Sequence, residues 1–213
     1  MNRYCFSSNA FCIYIYGALL CLGSISSAHA VQPPPDPTEQ LRPFIERLVT
    51  ILIDPDLQGK EKRVQRREKA MAFASEHFDF REMSKRILGK TWKMLSEEEQ
   101  EDFVTLFTSL LEHAYIAKIE GYSKQKVEFK RQRIKDERAQ VITHIVDQNG
   151  FITVSYTMML KNGVWKVYDI LAEGVSLVRN YMSQFREIIR KEGYASLLKQ
   201  LENKVSELEQ RNR

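Results

Sequence analysis

Two Asn-Gly pairs constrain this chain more than any other feature. Asn149-Gly150 and Asn162-Gly163 separate three stretches with strand character, residues 139–147, 151–160 and 164–172. Asn and Gly both tolerate the positive φ that a two-residue hairpin needs, so each pair marks a tight reversal. A further stretch, residues 127–135, precedes the first of these across Asp136-Glu137. Four such segments in series predict a four-stranded antiparallel meander.

Helical patterning lies on both sides of the meander. Asp36-Pro37-Thr38-Glu39 offers a capping carboxylate followed by a first-turn proline, and Leu41, Phe44, Ile45, Leu48, Ile51 and Leu52 then recur at helical spacing. A second helix, about 60–77, opens on the basic run Lys60-Glu61-Lys62-Arg63-Val64-Gln65-Arg66-Arg67-Glu68-Lys69. Asp79 opens a short third helix through Leu88, which Gly89 stops. Ser96-Glu97-Glu98-Glu99 is a capping box, and it starts the longest helix, about 97–121. Two helices, about 175–191 and 195–210, close the chain. Helices, then a meander, then helices describe an α+β domain with its N- and C-terminal helices packed on one face of a sheet.

The apolar faces leave two readings open. The third strand sets Ile152, Val154, Tyr156, Met158 and Leu160 against the half-polar set Phe151, Thr153, Ser155, Thr157 and Met159. The long helix carries one stripe of Phe103, Leu106, Phe107, Leu110, Ala114 and Ala117, and a second of Val104, Leu111 and Tyr115. The helix after the sheet repeats this with Val175, Val178, Met182, Phe185 and Ile189, flanked by Leu177, Tyr181 and Ile188. A surface helix needs one stripe of roughly 100°. Two wide-faced helices over one sheet imply either a thick core or a core that encloses something.

The first thirty residues read as an export signal. Arg3 supplies the positive start, Phe11 to Leu22 an apolar stretch, and Ala28-His29-Ala30 a cleavage site with small residues at its first and third positions. The apolar stretch is roughly a dozen residues, short of the ~20 that span a bilayer. Cleavage after Ala30 would leave residues 31–213 as a single exported domain, beginning with the extended run Val31-Gln32-Pro33-Pro34-Pro35. All three cysteines, Cys5, Cys12 and Cys21, fall in the signal. The exported part therefore has no disulfide, zinc–thiolate site or cysteine nucleophile.

Catalytic constellations are thin. His77, His113 and His144 are far apart in sequence, and no HExxH, GxSxG or glycine-rich phosphate loop occurs. His77-x-Asp79 could be half of a metal pair or a helix-junction hydrogen bond; Asp169 and Glu173 could be a reacting carboxylate pair or strand-end acceptors. The net charge of +4, from 32 basic and 28 acidic residues, does not suggest a nucleic-acid binder. Two local basic runs, Lys60 to Lys69 and Lys124 to Arg138, read as solvated faces that could also meet anionic headgroups or an acidic partner.

The fourth strand carries a recognisable phrase, Trp165-Lys166-Val167-Tyr168-Asp169-Ile170-Leu171-Ala172-Glu173-Gly174-Val175-Ser176-Leu177. It resembles the W-x-(V/A)-Y-D-(I/M)-x-x-E-G-V-S hallmark of the MlaC family, periplasmic phospholipid-binding proteins also called toluene-tolerance proteins. Supporting matches fall in order: Phe80-Arg81-Glu82-Met83, Leu88-Gly89-Lys90-Thr91-Trp92, the Leu95-to-Glu99 helix start, Phe103 to Leu111 with Tyr115, and Gly193-Tyr194-Ala195-Ser196-Leu197-Leu198. Together they cover nearly all of residues 36–205.

The resemblance implies a monomeric periplasmic carrier rather than an enzyme. Its cargo would be a glycerophospholipid, with no cofactor, no metal and no nucleic acid. Its partners would be an outer-membrane lipoprotein complex and an inner-membrane ABC transporter with an MCE-domain subunit, the traffic between them maintaining outer-membrane lipid asymmetry. One branch of the family is associated with hopanoids, and the motif does not separate the branches. An enzyme on a cone-shaped α+β fold and a structural adaptor are the rival classes. Resemblance and periodicity together nominate Val154, Tyr156, Met158, Tyr168, Ile170 and Val175 as lining residues of an apolar lipid pocket, then Phe107, Leu110, Tyr115, Val178 and Met182. Gly174 would be a hinge or a plain strand-to-helix turn.

Overall fold

Local sequence rules set most element boundaries in the computed structural model, which describes residues 35–120 and 125–211, with the backbone alone over 116–120. The export signal, the three cysteines, Gly121 and Lys124 lie outside the described residues. Helix α1 (Pro37–Ile53) begins where the Asp36 carboxylate accepts from the backbone N–H of Thr38 at 2.8 Å and Glu39 at 3.0 Å. Helix α2 (Arg63–Ser75) follows a short 3₁₀ turn at Pro55–Leu57. Helix α3 (Phe80–Leu88) is capped by Asp79 and ends at Gly89, whose φ of 56° suits glycine. The capping box of α4 (Glu97–Glu120) is reciprocal: Glu99 N–H donates to Ser96 Oγ at 3.2 Å, and Ser96 N–H donates to the Glu99 carboxylate at 2.7 Å.

The strands are β1 (Lys126–Lys135), β2 (Arg138–Asp147), β3 (Gly150–Lys161), β4 (Val164–Ala172) and β5 (Val175–Ser176), all antiparallel in that spatial order. Asn162 and Gly163 both have positive φ, 51° and 78°, as a primed two-residue turn requires. The sheet therefore has five strands, not the four expected. The extra one is Val175–Ser176, which the sequence reading had put in the following helix. Glu173 and Gly174, at φ 49° and 79°, fold the chain back so that Val175 pairs with Ala172. Two residues are too short for alternation to show, so period alone could not find this strand. Helix α5 (Leu177–Glu192) then starts behind Ser176, whose Oγ accepts from Arg179 N–H at 3.0 Å, and α6 (Tyr194–Arg211) closes the chain.

A second correction concerns the layers: helices pack on both faces of the sheet, not one. Leu41, Phe44 and Ile45 of α1 bury Ala139, Val141, Val154, Tyr156, Met158, Trp165 and Val167. A second cluster holds Met83, Ile87, Phe103, Phe107, Leu110, Val178, Phe185, Leu197 and Leu201 from α3 to α6, with Tyr168 from the sheet. Met158 belongs to the first cluster, while Met159, which points the other way, packs against the second. A register shift between Thr157 and Met158 lets Tyr168 bulge from β4 toward the helical side.

Candidate functional site

The outer edge of β4 is where the two apolar clusters meet. Strand β5 covers only Leu171 and Ala172 of that edge. Further along, the chain between α2 and α3 takes its place: Val167 N–H donates to His77 O at 2.9 Å, and Asp79 N–H donates to Val167 O at 2.8 Å. This clamp sets Phe78 against both clusters. Its ring stacks on Phe80 at 5.8 Å and meets Phe44 edge-on at 5.9 Å.

The eleven nominated residues divide between the two sides. Val154, Tyr156 and Met158 are buried under α1, with Ile170 packed at their margin. Phe107, Leu110, Tyr168 and Val178 are buried in the helical cluster, with Tyr115 at its margin. Met182 is half-buried on α5. Val175 is 65% exposed, at the open end of the sheet beyond the Glu173-Gly174 turn. Two surface depressions, of about 490 and 480 Å³, lie elsewhere: one between Phe78, Arg81, Lys161 and Lys166, the other between Leu88, Lys90, Arg186 and Ile189. None of the eleven lines either depression.

The acids Asp169, Glu173 and Asp79, and His77, are spent on structure. The Asp169 carboxylate accepts from Ser176 Oγ at 2.6 Å and from Val178 N–H at 3.0 Å, which fixes the start of α5. Glu173 accepts from Thr153 N–H across the sheet end. The carboxylate pair is thus two strand-end acceptors on different partners. His77 lies against the Phe44 ring at 4.2 Å with Nδ1 3.3 Å from Phe73 O, while Asp79 caps α3 and pairs with Lys161. Among the described residues no His, Cys, Asp or Glu group of three or more is placed to hold a metal ion. Tyr115 hydrogen-bonds Tyr181, and burial pushes the Tyr181 hydroxyl far above the ordinary phenol value. The Tyr181 phenol thus brings no charge into the cluster. The Arg86 guanidinium sits 4.1 Å above the Tyr168 ring and pairs with Glu82 at 2.7 Å.

The basic start of α2 is only in part the solvated face expected: Lys60, Lys62 and Lys69 are exposed, but two arginines are not. Arg66 and Arg67 are each only 8% exposed, and Arg66 Nη1 donates to Leu57 O at 2.5 Å. Long arginine arms can lie along the apolar surface of the preceding turn while their heads find acceptors, which residue type alone does not reveal.

The motif residues Trp165 to Ser176 thus form the β4–β5 corner that joins sheet to helical layer. The family model described as MlaC protein matches residues 43–203, which include that corner. The chain belongs to the MlaC family. A curated MlaC relative from Haemophilus influenzae, named intermembrane phospholipid transport system binding protein MlaC, is 26% identical over 128 residues, or 57% of this chain. The match spans 60% of that relative's length. The fold is shared with a phospholipid-binding protein from Ralstonia solanacearum solved in complex with a phospholipid, at a TM-score of 0.73 and 23% identity, covering 82% of this chain and 99% of that one. An α+β MlaC fold with an antiparallel sheet, as the β4 motif led one to expect, is therefore in place. Among the described residues no helix is long and apolar enough to cross a membrane.

Proposed function

We propose that this protein is a soluble periplasmic carrier of glycerophospholipid. Export and cleavage after Ala30 would release residues 31–213 as one monomeric lipid-binding domain. It would move lipid between an outer-membrane lipoprotein complex and an inner-membrane ABC transporter bearing an MCE-domain subunit, and so support outer-membrane asymmetry. The observation that carries this reading is the MlaC match over residues 43–203. The phospholipid named for the Haemophilus relative and bound in the Ralstonia structure supports the cargo class.

The physics favours a carrier over a catalyst. Each CH₂ moved out of water is worth ~0.8 kcal/mol, so exposing two acyl chains of about sixteen carbons costs on the order of 20 kcal/mol. An apolar interior offsets that cost without bond chemistry, and Asp169 and Ser176 are committed to starting α5 while Tyr115 and Tyr181 hydrogen-bond each other. The eleven nominated side chains would touch the chains once the layers part along the β4 edge, where Phe78 is common to both clusters.

Solvent extraction of the purified protein, followed by mass spectrometry, tests the proposal. Phospholipid near one molecule per chain is expected, and its absence would sink the carrier reading. Val175→Glu tests the site. Val175 is 65% exposed, so the new carboxylate stays hydrated and folding is untouched. An acyl chain covering it would strip that hydration at a cost of several kcal/mol. The variant should keep its melting temperature and lose its lipid; wild-type lipid content would remove Val175 from the pocket.

A further inference from the structure

The side of the sheet facing away from α1 carries cations that nothing in the fold explains. Arg131, Arg133 and Lys135 alternate along β1 and point to that side, opposite Ile142, Gln140 and Arg138 of β2. All four cations are exposed, and no carboxylate pairs with any of them among the described residues. Elsewhere the surface pairs its charges routinely, as in Arg81–Glu101 at 2.7 Å and Lys191–Glu187 at 2.8 Å. Glu128, on the same side, is taken by Lys126 at 3.2 Å and Lys130 at 2.6 Å, which holds its carboxyl below the ordinary value. Asp136 and Glu137 sit at the turn beside the patch and pair with none of the four.

Lys135 and Arg138 are direct cross-strand partners. Like charges placed opposite one another destabilise a sheet. Cations on an edge strand do discourage strand-to-strand aggregation. That role needs neither Arg138, which lies one strand in, nor its opposition to Lys135. The four spread over two strands and three residue pairs, roughly 5 Å by 13 Å. Gln140 lies among them, and no apolar residue that is largely exposed stands on that part of the side. Protein interfaces are built on an apolar or aromatic core depleted of lysine. A flat patch of unpaired cations without such a core suits a layer of negative charge.

We propose that this sheet side docks the protein on anionic phospholipid bilayers. The proposal goes beyond the carrier reading and does not depend on cargo, since it concerns headgroups at a surface rather than acyl chains inside. Each cation near an anionic leaflet contributes roughly fivefold in partitioning, so removing four should cost about six-hundredfold. The attraction should fade as salt is raised.

Flotation of the purified protein with vesicles tests it. Wild type should float with vesicles of phosphatidylglycerol and phosphatidylcholine and stay behind with phosphatidylcholine alone. The quadruple variant Arg131→Gln, Arg133→Gln, Lys135→Gln, Arg138→Gln should lose about six-hundredfold in binding while carrying wild-type extractable lipid. Should that variant melt early, Arg133→Gln with Lys135→Gln reads the same loss at smaller size, on the order of twentyfold. A matched control variant, with the exposed Lys60, Lys62 and Lys69 of the α2 region and Lys93 of the 3₁₀ turn Thr91–Met94 changed to Gln, should bind within about threefold of wild type if the sheet side is the contact. The proposal is overturned if wild type does not prefer anionic vesicles, if the sheet variant binds as wild type does, or if the control variant is the one that fails. Failure on vesicles combined with charge-dependent retention on immobilised polyglutamate would reassign the patch to an acidic protein.

Discussion

Gln132 holds the start of the described chain through three hydrogen bonds. Its amide donates to Asp36 at 2.6 Å, and its carbonyl accepts from Thr38 N–H at 3.1 Å and Thr38 Oγ1 at 2.6 Å. Nearby, the Trp165 indole donates to Pro35 O at 2.6 Å, and Trp165 N–H donates to Gln40 Oε1 at 3.0 Å. The chain is thus fastened to the sheet within a few residues of the expected cleavage site. The Gln132 amide, then the backbone N–H groups of Thr38 and Glu39, hold the Asp36 carboxyl below its ordinary value. A depressed folded value means stability that is present at neutral pH and lost as pH falls through it. Gln132→Ala should therefore cost about 1 kcal/mol at pH 7. Part of that loss should vanish in acid, where the protonated Asp36 has less to lose. Urea melts at neutral and acid pH measure this, and a pH-independent difference would exclude the carboxylate from the latch. Asp36 was legible in the sequence as a helix cap; Gln132, which lies 96 residues away, was not, because sequence carries no cue for a polar side chain meeting a distant cap.

Helix α4 shows why the elements were more legible than the space between them. Its capping box and two apolar stripes were written in residues 96–115, and both kinds of feature are present in the structure. Phe107 is fully buried, stacks on Phe103 at 6.0 Å and meets Tyr181 and Phe185 edge-on at 5.3 and 6.3 Å. Phe107→Ala should destabilise the protein by about 3–5 kcal/mol in denaturant unfolding, since neighbours fixed on α4 and α5 cannot collapse into the gap. A loss under about 1 kcal/mol would mean that the helical layer is already loose around this ring. The second stripe, read from sequence as a sign of either a thick core or a filled one, is used at least in part by other helices: Val104, Leu111 and Tyr115 pack in the cluster that α6 completes with Leu197, Leu201, Val205 and Leu208. Period reports that a face is apolar, not what covers it. The same limit hid the division of the nominated residues between two sides of the sheet, because β3 alternation separates Met158 from Met159 but does not say that both sides are covered.

At the scale of the molecule, the two apolar clusters are joined around one sheet edge rather than divided by the sheet. Trp165 and Val167 face α1 while Tyr168 faces α3 to α6, and Phe78 closes the edge between them. A parting of the layers along this edge would leave the β1–β4 ladders unbroken. A ligand inserted there would bind the folded chain and not the unfolded one, and would stabilise it by mass action, at about 2.7 kcal/mol for ligand at a hundred times its dissociation constant. For a domain of this size each kcal/mol is worth about 2–4 °C, so removing the lipid should lower the melting temperature by about 5 °C or more. The measurement is a calorimetric scan of protein as purified, after solvent or detergent delipidation and refolding, and after return of phospholipid. The melting temperature should fall on delipidation and recover with phospholipid. In Val175→Glu, whose exposed carboxylate leaves folding intact, it should stay at the delipidated value after phospholipid is returned. Equal melting temperatures with and without lipid would mean that the apolar clusters are a finished core and that any lipid sits on the surface.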